Sequence, residues 1–168
     1  MKKADFWTKQ YRSHISELVG VCYRYVCDWQ VAEDLAQDAF LHAIEKSGTY
    51  RALGSFEGWL KKIAVNEALM YLRSQPEMVA MDEEMSIEEV PPAEPQEIQP
   101  LFSQEELLDA ISKLPVKQRT VFNLYVLEHC SHAKIAATLG ISVANSKVLL
   151  NRARGELQAR LRMRGVKS

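Results

Sequence analysis

Residues 130–154, CSHAKIAATLGISVANSKVLLNRAR, read as a helix, a tight corner at Gly140-Ile141-Ser142 and a second helix, and this reading decides the fold. Gly140 can take the positive φ that ends a helix, and the Ser142 hydroxyl can cap the helix that follows. Ile135, Ala136 and Leu139 share one face of the first helix, while Leu150, Ala153, Leu157 and Leu161 recur at helical spacing along the second. Both faces need the same small core. The positions expected to point outward after Ser142 are Val143, Asn145, Ser146, Lys147 and Asn151, with Arg152 and Arg154 one turn on, which is how a major-groove reader is laid out.

A helical hairpin with a glycine corner also packs in all-helical proteins that bind nothing, so periodicity alone leaves both readings open. Charge favours the nucleic-acid reading. From Ala110 to Ser168 there are 5 Lys and 6 Arg against only Glu128 and Glu156, a net +9. Such a balance on so short a segment is the footprint of phosphate contact.

Working outward, 168 residues with 47% hydrophobic content give room for one ordinary globular domain or two small ones. No apolar run approaches the roughly 20 residues that span a bilayer, and MKKADFWTKQ at the start lacks a signal-peptide core, so the expectation is a cytoplasmic protein without membrane insertion. Cys22, Cys27 and Cys130 form no CxxC pair and read as free thiols. Cys22 and Cys27 lie about 140° apart around a helix, a poor metal pair, and neither metal nor other cofactor is expected. No P-loop, nucleophile–base pair or paired catalytic carboxylates stand out, and His14, His42, His129 and His132 read as surface or packing residues. The chain is not expected to be an enzyme.

The formal charge of −1 hides a partition: residues 1–75 carry 10 basic and 9 acidic side chains, and residues 76–109 carry 11 acids and no Lys or Arg. Five prolines between 76 and 100 and the absence of any period mark an extended, self-repelling linker. The expected organisation is therefore all-α, with two small helical domains, 1–75 and 104–168, joined by an acidic linker at 76–103.

Within the first domain, residues 5–29 carry a helical apolar rhythm that allows one or two helices. Val31 to Lys46 is the cleanest amphipathic helix, with Leu35, Ala36, Ala39, Phe40, Ala43 and Ile44 as its inner stripe. Asp34, Asp38, Leu41 and Glu45 align on its other side, either as a solvated acidic face or, given the exposed leucine, as a docking line for a basic partner. Residues 47–58 form a glycine-containing loop into a third helix, Glu57 to Arg73. There Lys62, Asn66 and Arg73 fall within about 40° of one another. Beside Tyr50, Arg51 and Phe56 they could serve as a single-strand surface, or they could be ordinary surface charges over a core cluster. In the second domain Ser103 and Glu106 read as a capping box, and Pro115 suits the first turn of the next helix.

AEDLAQDAFL at 32–41, SFEGWLKKIAVNEALMYLR at 55–73, LPVKQRTVFNLYVLE at 114–128, and KIAATLGIS with KVLLNRAR between 134 and 154 resemble bacterial RNA polymerase sigma factors of the sigma-70 family, extracytoplasmic-function group. The similarity is collinear across most of the chain outside the linker. It implies sigma region 2 followed by sigma region 4, and a subunit that binds core RNA polymerase and directs promoter-specific initiation through −10 and −35 elements. By this resemblance Glu33, Asp34, Gln37, Asp38 and Leu41 grip the clamp helices of the largest polymerase subunit. Tyr50, Arg51, Phe56, Lys62, Asn66 and Arg73 face unpaired bases of the −10 element. Ser142, Val143, Asn145, Ser146, Lys147, Asn151, Arg152 and Arg154 read the −35 element. The flap of the second-largest subunit, promoter DNA and an anti-sigma factor are the further partners implied. The chain departs from the family pattern at Met70, Lys134, Asn145 and Leu149. Val148 and Leu149 on the DNA helix leave three readings open: a reader of methyl-rich base edges, a face for an inhibitor, or drift. Without polymerase, an operator-binding regulator is the other class the residues allow, as is a sigma-like chain that has lost −35 specificity.

Overall fold

The computed structural model describes residues 3–47, 55–79 and 103–165. The chain divides into two units at Gln75 and Pro76. Among the described residues all regular structure is helical, as the sequence pattern predicts.

The first unit is a bundle of α1 (Lys3–Val26), α2 (Trp29–Glu45) and α3 (Phe56–Arg73), each packed on the other two. Residues 5–29, which allowed two helices, hold one 24-residue helix, and Gly20 passes through it with open space around its Cα. That helix stops at Cys27, which takes φ 55° while its N–H donates to the Tyr23 carbonyl at 2.8 Å. A non-glycine residue in this left-handed region costs about 1–2 kcal/mol. Asp28 then caps α2, its Oδ1 accepting from the Gln30 and Val31 amides at 3.0 and 3.2 Å. Ala32, Ala36, Ala39 and Ala43 are buried along α2, and Ala64 and Ala68 along α3, small side chains that let packed helices approach closely. One end of the bundle is closed by rings: Trp7 meets Phe40 edge-on at 5.8 Å and Phe56 at 5.9 Å. Ser55 caps α3 by accepting from the Gly58 amide at 2.9 Å.

The second unit holds α4 (Pro76–Val79), α5 (Gln104–Ser112), α6 (Val116–Phe122), α7 (His132–Leu139) and α8 (Val143–Gly165). Residues 76–79, assigned to the linker by composition, make one helical turn with Met78 buried, because Pro76 suits a first turn. Most of the acidic segment, residues 80–102, lies outside the described residues. Pro115 is the N-cap of α6, one position before its first turn, and at its other end α6 runs into a π-helical turn at Asn123–Leu127. The Ser103 hydroxyl accepts from the Glu106 amide at 3.2 Å. Arg119 is only 6% exposed, and its Nη1 donates to the Ser112 and Leu114 carbonyls at 3.3 and 3.1 Å, closing the end of α5. α8 is the spine of the unit and packs against α5, α6 and α7.

Candidate polymerase and nucleic-acid interfaces

Three surfaces follow from this architecture. On α2, Glu33, Asp34, Gln37, Asp38 and Leu41 are all exposed, on the side opposite the buried alanines. Leu41 is 58% exposed, a large apolar side chain set among acids. Beside it a groove of about 460 Å³ opens between α1 and α2, lined by Trp7, Tyr11, Gln37, Phe40, Leu41 and Ile44. The chemistry available is apolar contact framed by negative charge, which suits a basic protein surface better than DNA.

On α3 the exposed residues Lys62, Asn66 and Arg73 form the expected stripe, and Met70, 61% exposed, stands on it as well. The stripe is thus cationic at its ends and apolar in the middle. Phe56, which the sequence places beside the stripe, packs on other rings. Its half-buried ring lies 5.9 Å from Phe6 and from Trp7 and 5.6 Å from Trp59, because the first turn of α3 faces the aromatic end of the bundle. The ring packs at that end of the bundle and keeps part of its surface exposed. Tyr50 and Arg51 lie outside the described residues.

On the second unit the corner forms as its residues dictate. Gly140 ends α7 at φ 69°, and the Ser142 Oγ accepts from the Asn145 amide at 3.0 Å. Ser142, Val143 and Lys147 are exposed, and Asn145, Asn151, Arg152 and Arg154 are half-buried. Ser146 is a correction to the sequence reading, with 0% exposure. It lies four, seven and eleven residues before Leu150, Ala153 and Leu157, so it belongs to their buried face. There its Oγ lies 2.8 Å from Nδ1 of His132, at the start of α7. Leu149 is likewise 0% exposed and Val148 half-buried, so Leu149 is core and not an apolar intrusion on the outward face.

The His132 ring stacks on Tyr125 of the π-turn with centroids 4.7 Å apart, and Arg154 lies 5.7 Å over the same tyrosine. Burial pushes the His132 pKa below its ordinary 6.5, and the positive charges of Lys147 and Arg154 add to the effect. Neither this joint nor the Tyr23–Trp29 stack of the first unit was visible as a motif, since each depends on backbone geometry between helices. Among the described residues no group of three or more His, Cys, Asp or Glu could hold a metal ion, and no single helix is long and apolar enough to cross a membrane.

Comparison with known proteins agrees with this geometry. Residues 10–76 match the family model of Sigma-70 region 2, and residues 104–157 match that of Sigma-70, region 4. The chain is 29% identical to the ECF RNA polymerase sigma factor SigE of Mycolicibacterium smegmatis, over 90% of this chain and 60% of that one. It is 30% identical to the RNA polymerase sigma factor CarQ of Myxococcus xanthus, over 88% and 84% of the two chains. In fold it is similar to the sigma factor RpoE of Bartonella quintana, solved with the anti-sigma factor NepR, with a TM-score of 0.55 and 24% identity over 94% of this chain and 97% of that one. A region 2 bundle and a region 4 helix-turn-helix in collinear order make this chain a sigma-70 family RNA polymerase sigma factor of the extracytoplasmic-function group, a subunit for promoter-specific transcription initiation.

Proposed function

We propose that the acidic face of α2, with Glu33, Asp34, Gln37, Asp38 and Leu41, docks on the clamp helices of the largest polymerase subunit. The α3 stripe of Lys62, Asn66 and Arg73, with Tyr50 and Arg51 of the preceding loop, holds unpaired bases of the −10 element. The start of α8, with Ser142, Val143, Asn145, Lys147 and Asn151, enters the −35 major groove, and Arg152 and Arg154 serve its phosphates. The second unit also meets the polymerase flap. Each reader is weak alone, and tethering both on one polymerase raises the effective concentration for a correctly spaced pair of elements. The chain supplies binding energy and no catalytic step of its own. An anti-sigma factor is a further partner, as one is for the Bartonella relative named above.

The observation that carries this reading is Leu41, 58% exposed among the exposed side chains of Gln37, Asp38 and Glu45 on α2. Replacing Asp38 by Arg reverses charge beside that leucine. The variant is expected to lose affinity for core polymerase while keeping its helix content, and an unchanged affinity would remove α2 as the docking face.

A further inference from the structure

The exposed ridge of α2 does not begin at Glu33. Trp29, Glu33, Gln37, Leu41 and Glu45 follow one another at intervals of four, and all five are exposed. Residues at that spacing form a continuous ridge, the kind that seats in the groove of a helix laid across it. Trp29 is 58% exposed, the same fraction as Leu41, and the two lie about 18 Å apart along the axis at 1.5 Å per residue. The acidic stretch is therefore bracketed by two apolar side chains.

Trp29 is also held in place. Its indole is stacked on the Tyr23 ring, with centroids 3.8 Å apart and planes within 10°. The two rings belong to different helices, and the strained corner at Cys27 brings them together, its φ of 55° turning the chain directly from α1 into α2. With one face covered by Tyr23, an exposure of 58% leaves the opposite indole face to solvent. Asp28 precedes the indole, and the exposed Glu33 stands one turn beyond it. A flat, rigid π-face beside carboxylates is a seat for a guanidinium, which stacks on the ring while its N–H groups reach the acids. Preordered Trp and Tyr side chains are also those that concentrate binding energy in interfaces.

We propose that the Tyr23–Trp29 stack is a second anchor of the polymerase interface, seating an arginine of the core polymerase surface that lies on the α2 ridge. This rests on the α2 reading above and extends it by one turn, to a site that the acidic line does not include.

The test measures affinity of the full chain for bacterial core RNA polymerase, comparing wild type with Trp29→Ala, Trp29→Phe and Asp38→Arg. Trp29→Ala is expected to weaken binding about tenfold, and Trp29→Phe, which keeps a flat face, far less. Trp29→Ala within twofold of wild type, with Asp38→Arg weakened, overturns the anchor and leaves the α2 reading standing. If neither variant weakens binding, both fall. Hydroxyl-radical footprinting of the wild-type complex gives a reading that needs no substitution: protection of Trp29 supports the anchor, and full reactivity of Trp29 in the bound chain overturns it.

Discussion

His132 and Ser146 meet across the helix-turn-helix corner, Nδ1 to Oγ at 2.8 Å, and so tie the start of α7 to the buried face of α8. The contact joins the two helices that meet at the Gly140–Ser142 corner. It also moves Ser146 from the reading surface to the joint.

Ser146→Ala removes the hydroxyl, and adds no atoms, at a site with 0% exposure. The expected result is a loss of about 1 kcal/mol in stability of the second unit, with base preference at the −35 element unchanged. Thermal melts and binding to a panel of duplexes check it. An altered base preference at unchanged stability would return Ser146 to the reading surface.

Acid should loosen the same joint. The folded-state pKa of His132 lies below its ordinary 6.5, chiefly from burial, with Lys147 and Arg154 of α8 opposing its charge and Tyr125 stacked on the ring. A depressed pKa means that the folded unit prefers the neutral imidazole. Its contribution is complete above pH 6.5 and is lost as pH falls through the depressed value. The melting temperature should therefore fall more steeply from pH 7 to pH 5 in the wild type than in His132→Gln. Equal slopes would remove His132 as the titrating group.

Leu149 offers a separate check on the register of α8. At 0% exposure, Leu149→Ala should cost about 2–5 kcal/mol, whereas an outward leucine would cost almost nothing. Chemical denaturation measures the difference. A stability loss below about 1 kcal/mol would contradict the buried placement.

Lys147 is the exposed cation on the first turns of α8. Lys147→Ala should weaken −35 duplex binding across sequences and reduce the salt slope by about one, as for a single lost phosphate contact. A changed base preference with an unchanged slope would instead make it a base reader.

Much of this arrangement was legible in the sequence because it is local. The corner at Gly140 and Ser142 needs only a positive φ and a cap, and the inner stripe of α2 is plain in the spacing of its alanines, Leu35 and Phe40. The phase of α8 was harder to read. It packs against α5, α6 and α7, so its buried arc from Leu149 through Ser146 to Leu161 spans about 120°, wider than a single apolar stripe. A small polar residue inside that arc gives no hydrophobic signal, so the pattern alone places Ser146 outward. Phe56 stays ambiguous in the sequence because an aromatic beside a glycine-containing loop looks the same whether it caps a bundle or faces a strand. The Tyr23–Trp29 stack depends on Cys27 entering the left-handed region, which no local residue preference announces.

The most direct test of the central claim, that this chain is a polymerase specificity subunit, is co-elution with bacterial core RNA polymerase on a sizing column. A stoichiometric complex that Asp38→Arg depletes is the expected result. Separate elution of the wild-type chain as a stable dimer that binds duplex DNA without polymerase would contradict it.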